Sequence, residues 1–351
     1  MAGPKKRRVL VTGVSRFLGL RIAKRLEDDP NVETLIGVDL EEPSLPIRNM
    51  EFVRCDIRNP LIARVLQASK VDTLIHTNIS SSPSVLGGRS QMKENNVIGT
   101  MQVLAAAQRS ETIEKVIVKS SSAVYGSGSG EPSLLAEDHA ARHVELAGYG
   151  KDCAEAETYA RDYGRRRPDV DLLILRTQNV IGPTVATNLT NYLSLPILPT
   201  AVGYDPRLQF LHEEDAVDAF VAALTADCRG IYNVAGDGVV YLSQTIRLLG
   251  RLQAPILLPA AEVVAGLLKR FNVVDFPTDQ LKLLLFGRVV DTTRAKKAFG
   301  FAPKFSTFDA LVDYRDNRST ELTPGPGERP SWERELFEYL KVKAQAEKET
   351  V

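Results

Sequence analysis

An apolar run, Arg8 to Thr12, ends in Thr12-Gly13-Val14-Ser15-Arg16-Phe17-Leu18-Gly19 and passes directly into a helical pattern that continues to about Asp29. Strand, glycine-bearing turn and helix in that order constrain the fold more than any composition does. Gly13 permits a tight turn, and Gly19 permits close packing of helix on strand. The helix start then offers free N–H groups and a positive dipole end to an anion. Asp39 closes the next apolar run, where a carboxylate can accept hydrogen bonds from ribose hydroxyls. The combination predicts a dinucleotide site contacted by Gly13, Ser15, Arg16, Phe17, Leu18, Gly19 and Asp39.

The same alternation continues. Short apolar runs at Arg8 to Thr12, Thr34 to Asp39, Glu51 to Cys55, Thr73 to His76, Lys115 to Ser120 and Asp171 to Arg176 are separated by turns and helical patterns. Such spacing predicts βαβ units in an α/β fold, a doubly wound parallel Rossmann sheet with a smaller C-terminal substrate lobe. The expected boundaries are 1–183 for the dinucleotide-binding domain, 184–320 for the lobe with segments returning to the sheet, and 321–351 for a peripheral tail. Within the lobe the patterns predict a helix over Ala216 to Thr225, a strand over Gly230 to Ala235 and an apolar helix over Ala260 to Phe271. An amphipathic segment runs from Trp332 to Lys343.

Charge and cysteine usage narrow the function. The 351 residues carry 44 basic and 44 acidic side chains, so no global field draws the chain to nucleic acid or anionic lipid. Cys55, Cys153 and Cys228 have no metal-ligand spacing, and their odd number cannot close a disulfide framework. No metal site is expected. No apolar run reaches the ~18 residues of a membrane span and no signal-peptide core is present, which predicts a cytoplasmic protein with no membrane partner.

Further blocks follow in order: Cys55-Asp56-Ile57-Arg58, His76-Thr77-Asn78-Ile79, Asn96-Val97-Ile98-Gly99-Thr100, Ser120 to Gly126, Leu175 to Pro183, Phe210 to Ala216 and Asp291 to Pro303. With the opening loop they resemble the extended short-chain dehydrogenase/reductase family, the NAD-dependent epimerases and dehydratases of sugar nucleotides, over roughly residues 7 to 305. The resemblance is closest to actinobacterial UDP-glucose 4-epimerase-like proteins. It implies that Asp56, Ile57, Thr77, Asn78, Ile79, Asn96, Ser120 and Gln178 also contact the cofactor. It implies a nucleotide-sugar substrate held by Asn179 and by arginines; the family's arginine slot reads Leu208, with Arg207 one residue away and Arg288 as a further candidate. It also implies a homodimer paired through the helices after Asn96 and around Tyr149.

The chemistry implied by the resemblance is proton exchange between a tyrosine and a substrate hydroxyl while hydride moves to or from the nicotinamide. A lysine four residues after the tyrosine and a strand Ser/Thr support it. Tyr149 fills the tyrosine position and Ser121 the strand position, with Ser122 beside it, but the lysine position carries Cys153. Lys151, two residues from Tyr149, points to another helix face. Without an ammonium the phenol stays near its ordinary ~10, and proton transfer at pH 7 slows by ~10² or more. Cys153 itself reads as a filler rather than a nucleophile, because no activating base accompanies it.

Arg16 stands where the family has a glycine and suits the 2′-phosphate of NADP, whereas Asp39 with Glu41 and Glu42 repels that phosphate. The balance favours NAD and leaves NADP open. Three functions are consistent with these residues: an NAD-dependent epimerase or oxidoreductase with an atypical site, a non-catalytic dinucleotide sensor as Cys153 suggests, and a hydroxysteroid or flavonol reductase-like enzyme suggested by apolar Leu193 to Val202 and Ala260 to Phe271.

Overall fold

A computed structural model of the protein describes residues 6–81, 88–139, 146–257 and 278–318. Its centre is a seven-stranded parallel sheet. The strands in chain order are β1 (Arg7–Thr12), β2 (Val32–Asp39), β3 (Met50–Arg54), β4 (Thr73–His76), β5 (Lys115–Ser121), β6 (Asp171–Thr177) and, further along, β11 (Gly230–Val234). Across the sheet the order is β11-β6-β5-β4-β1-β2-β3. The doubly wound architecture expected from the alternating pattern is therefore present, with one strand more than the six runs counted in the sequence. β11 pairs with β6 from Gly230 opposite Leu173 to Val234 opposite Thr177, so the run assigned to the lobe returns to the main sheet.

Strand order reverses between β1 and β4, and chain leaving their C-terminal ends diverges to opposite faces, opening the crevice in which doubly wound sheets bind ligands. On one face α1 (Phe17–Leu26) and α7 (Glu213–Thr225) cover the sheet through Ile22, Leu26, Phe220 and Leu224. On the other lie α2 (Ile62–Ser69), α4 (Thr100–Gln108) and α5 (Gly148–Arg166), packed through Leu66, Val103, Ala156 and Ala160. With both faces covered, β4 is buried throughout, which is why these strands read as continuous apolar runs rather than as alternation. Lys115 is the exception, buried at the start of β5. Its ammonium caps α7 by donating to the carbonyls of Ala223 and Ala226, where the helix dipole is negative.

The smaller lobe is built from paired short strands: β7 (Asn179–Ile181) with β10 (Phe210–His212), β8 (Ile197–Ala201) with β13 (Leu252–Ile256), and β9 (Arg207–Leu208) with β12 (Val240–Tyr241). Helices α6 (Asn188–Leu193), α8 (Leu242–Leu248), α9 (Thr278–Phe286) and α11 (Thr307–Asn317) accompany them, whereas α10 (Thr293–Phe299) packs through Ala295 on the sheet domain. Tyr192, Leu193, Leu198, Phe210 and Leu311 form its core. The boundary at 183 follows the turn after β7, but β11 and α7 belong physically to the sheet domain. The apolar stretch Ala260 to Phe271, the segment Trp332 to Lys343 and the tail expected over 321–351 lie outside the described residues.

Candidate functional site

A cleft of about 410 Å³ runs from the start of α1, past the C-terminal ends of β4 and β5, to the lobe. Its first wall is the turn between β1 and α1. Gly13 adopts φ +82°, and a Cβ at Gly19 would lie 2.2 Å from the Gly13 carbonyl oxygen, so helix and turn meet backbone to backbone. The first bond within α1 runs from Leu20 N–H to Arg16 O, 2.9 Å. No capping side chain and no first-turn acid serves the amides before it. Arg16, Phe17, Leu18 and Gly19 line the cleft at this free helix end. The arrangement fits the pyrophosphate of a dinucleotide, which needs bare backbone, donor amides and a positive dipole end.

Asp39, 6% exposed at the end of β2, sits behind the turn. Its Oδ2 accepts from Ser15 N–H at 3.0 Å and Ser15 Oγ at 2.6 Å, and its Oδ1 accepts from Leu40 N–H at 2.8 Å. The carboxylate thus fastens the glycine turn to β2 while Oδ1 keeps acceptor capacity. Arg16 extends the opposite way, its Nε donating to Asn78 Oδ1 at 3.0 Å beyond β4. Asp56 is clasped by Arg58, whose Nη2 donates to Asp56 Oδ2 at 2.7 Å and holds that carboxyl below its ordinary value. Ile57 is core, packed under Gly99.

Beyond β4, Thr77 and Ile79 line the cleft, Thr77 with its hydroxyl bonded to Thr12 O at 2.6 Å. Asn96 lies in a π-helical turn, Asn95–Gly99, and is fully buried. Its amide pairs with the Ser80 backbone at 2.8 and 2.9 Å and donates to Asp152 at 3.2 Å. Asp152 in turn takes both Arg89 nitrogens at 2.7 Å, and Arg89 also donates to Gly148 O. This buttress fixes the first turn of α5, which carries Tyr149.

Tyr149, Ser121, Gln178, Asn179 and Arg288 meet in the cleft. Burial, with the Cys153 thiol as neighbour, pushes the Tyr149 phenol well above its ordinary value, and a hydrogen bond with Ser121 acts in the opposite direction. Two neighbouring serines turn elsewhere: Ser120 Oγ donates to Glu157 Oε1 at 2.6 Å, and Ser122 Oγ donates to Gln178 Oε1 at 2.6 Å. Alternation along the strand end presents Ser121 to the tyrosine and withdraws Ser120, while Ser122 already belongs to the 3-10 turn Ser122–Tyr125 that follows. Gln178 also donates to Arg288 O at 2.9 Å, tying the sheet domain to the lobe. Like Asn96, Ser120 and Ser122, Arg207 does not line the cleft, so the contact expected of its side chain is not offered there. Its guanidinium donates to Ser133 O at 3.0 Å and does not line the cleft, because on β9 it is Leu208 that faces inward, 1% exposed.

Cys153 occupies the helix face of Tyr149 and is fully buried in the main core. Burial pushes its thiol up to about 12, so it is neither a thiolate nor a nucleophile at neutral pH. Iodoacetamide at pH 8 is expected to leave Cys153 unmodified in the folded protein and to label it after denaturation. Peptide mass mapping reads this, and labelling of native Cys153 at the rate of half-buried Cys228 would count against it.

The residue that sequence reasoning passed over is Lys119. It lines the cleft from β5, with Nζ 3.3 Å from the Tyr149 hydroxyl oxygen and 5.8 Å from the ring centroid. The ammonium also donates to Ile79 O. Burial brings its pKa down to about 8. The signal was available: Lys119 stands two residues before Ser121, and period two places both on one face of a strand.

Among the described residues the cleft is lined by three cations, Arg16, Lys119 and Arg288, and by no carboxylate. No cluster of His, Cys, Asp and Glu able to hold a metal occurs among those residues, and no helix there is long and apolar enough to cross a membrane.

Comparison with known proteins agrees with this architecture. The family model described as NAD dependent epimerase/dehydratase matches residues 9–235. An uncharacterized protein of Mycobacterium tuberculosis (strain ATCC 25618 / H37Rv) is 40% identical over 329 residues, 93% of this chain and 88% of the relative. Among solved structures, the UDP-glucuronic acid 4-epimerase of Bacillus cereus with UDP-glucuronic acid and NAD superposes with a TM-score of 0.67 at 21% identity, covering 90% of this chain and 99% of that one. The UDP-glucose 4-epimerase of Thermotoga maritima with UDP-glucose reaches 0.69 at 18% identity, with 90% and 99% covered.

Proposed function

The chain belongs to the NAD dependent epimerase/dehydratase family, and from that membership we propose that it binds NAD and reversibly oxidises a ring hydroxyl of a nucleotide sugar, as an epimerase does. The observation that carries the reading is the meeting of Tyr149, Ser121 and Lys119 at one end of a cleft whose other end is the open helix start of α1. NAD, when bound, supplies a hydride acceptor and returns the hydride. Gly13, Gly19 and the α1 amides would hold its pyrophosphate, and Asp39 Oδ1 its adenosine ribose. Arg16, reaching toward Asn78 and away from Asp39, suits the pyrophosphate rather than a 2′-phosphate, which favours NAD over NADP.

Tyr149 exchanges the proton of the reacting hydroxyl, and Ser121 donates to the same oxygen, orienting it. Asn179 and Arg288, which line the cleft where the lobe meets the sheet, would hold the sugar-nucleotide diphosphate. The absence of a carboxylate among the described lining residues favours oxidation and re-reduction over elimination of water, which needs a separate acid to protonate the departing hydroxyl. Polar lining by Asn179, Asn188 and Thr187 speaks for a sugar over a sterol. Within Leu193 to Val202, which together with Ala260 to Phe271 suggested an apolar substrate, Leu193, Leu195 and Leu198 are buried, and the exposed Ile197 and Val202 do not line the cleft. The sensor reading rested on the missing lysine beside Tyr149, and Lys119 Nζ stands 3.3 Å from that phenol oxygen.

The test mixes micromolar protein with NAD and a panel of UDP-hexoses and UDP-hexuronic acids, followed by proton NMR of the anomeric region. Interconversion of two C4 epimers without net consumption of NAD is expected. Tight NAD binding in calorimetry with no conversion of any sugar would instead establish a binding protein, and NADP binding more tightly than NAD would overturn the role given to Asp39.

A further inference from the structure

We propose that Lys119 is the proton partner of Tyr149, a lysine supplied by strand β5 in place of the one the family supplies from the helix four residues beyond its tyrosine. The inference rests on the reading of Tyr149 as the group that exchanges the substrate proton.

The geometry has three parts. Lys119 Nζ lies 3.3 Å from the phenol oxygen, within reach of a proton transfer. Its donation to Ile79 O holds the side chain in that pose, so the amine is placed by the fold and does not wander in the cleft. Cys153, on the helix position facing the same space, is small and fully buried, and lies near enough to Lys119 for the charge of either to bear on the titration of the other. One slot beside the tyrosine is filled from the strand instead of from the helix. A second lysine there would bring two ammonium groups together in a buried space, so a long side chain at 119 and a short one at 153 belong together.

The charged and titratable groups facing Lys119 are Tyr149 and Cys153 from α5, Arg16 from the turn before α1, and His76 from β4. His76, fully buried between Thr12 and Thr100, is held neutral by burial, its pKa down to about 3. Arg16 adds to the burial that brings Lys119 to about 8, and Tyr149 remains a phenol well above that. The pair therefore passes a proton without a free phenolate. In oxidation the substrate O–H bond breaks and its proton bonds to Tyr149 Oη. The phenol's own proton moves to Lys119 Nζ, which becomes an ammonium; NAD, when bound, would supply the acceptor for the carbon-bound hydrogen and its electron pair. Reduction runs the same transfers backward. Losing one proton from the pair creates the competent state, so oxidation should rise with pH and level off above about 8.

The experiment compares wild type, Lys119→Met and the exchange Lys119→Ser/Cys153→Lys, each checked for folding by circular dichroism. Their pH profiles of kcat/KM are measured with whichever nucleotide sugar the wild type converts. Lys119→Met should lose about 10² or more at pH 7.5 and shift the rising limb above ~10, where the phenol must act alone. The exchange variant, with its lysine one helical turn from Tyr149, should recover most of the loss and restore a limb near neutral pH. Independently of substrate, a ¹³Cε-lysine NMR titration of the unliganded protein should show one lysine near 8 that vanishes in Lys119→Met and moves in Tyr149→Phe. A folded Lys119→Met with unchanged rate and limb, an exchange variant no better than Lys119→Met, or a Lys119 titration at the ordinary value near 10.5 would each overturn the proposal. Wild type silent on every sugar removes the proposed function instead, and the lysine titration with its Tyr149→Phe response then decides the pairing on its own.

Discussion

Tyr149→Phe should lower turnover by ~10² to 10⁴ while leaving NAD affinity within a few-fold, as the loss of a proton-exchanging group that contributes little to ground-state binding does. The substitution removes one oxygen and keeps the ring, which packs against the main core from the start of α5. Ala156 and Ala160 still seat the helix, and Arg89 still holds Asp152 and Gly148 O. Lys119 keeps its bond to Ile79 O, so the cleft should retain its shape and its charge. What disappears is the acceptor between Ser121 and Lys119. The loss should therefore fall on kcat with KM near its original value, as it does for an interaction made mainly in the transition state. Calorimetry with NAD and steady-state rates with the sugar check the two halves separately. A variant keeping more than a tenth of wild-type kcat would move the acid–base role to Ser121 or to Lys119 directly.

The parts of this site legible in the sequence were those carried by local backbone geometry. A strand, Gly13, Gly19 and a helix define a tight turn because the constraint lies within a few residues, and the turn forms as expected. Tyr149 and Ser121 were expected from the family resemblance, and both line the cleft. What escaped was contact between elements. Lys119 and Cys153 lie on a strand and a helix remote in sequence, and reading along the helix alone showed only a missing lysine. Arg207 failed at the level of a single residue: on a two-residue strand the inward position falls on Leu208, and a shift of one reverses a side chain. Gly230 to Ala235 was legible as a strand, and segments of the lobe were expected to return to the sheet, but that this strand is one of them was not, since pairing with β6 across the intervening lobe is a tertiary choice that local pattern does not encode.

The second large effect concerns the ion pair under this site. Glu157→Ala should cost about 3 to 5 kcal/mol of stability, the range for removing one partner of a buried pair. Glu157 and Arg176 are 2% and 3% exposed. Glu157 Oε1 accepts from Arg176 Nε at 2.8 Å and Ser120 Oγ at 2.6 Å, and Oε2 accepts from Arg176 Nη2 at 2.7 Å and Arg161 Nη2 at 2.6 Å. Without the carboxylate, the Arg176 guanidinium is left buried with only the Tyr125 hydroxyl and Glu137 O, neither of them charged against it. Glu157→Gln keeps an acceptor and should cost less. Urea denaturation measures both, with the midpoint falling and the slope unchanged. Burial opposes the charge on Glu157, but the bonds from Arg176 outweigh it and hold the carboxyl below 4.5. A lowered folded value means the stabilisation is complete above 4.5 and is lost as pH falls through the folded value, so the gap between wild type and Glu157→Gln should close on acidification. A gap independent of pH would assign the cost to packing rather than to charge. Because Ser120 joins the end of β5 to this pair, with Lys119 and Ser121 on either side, Glu157→Gln should also loosen the strand end that aims both at Tyr149.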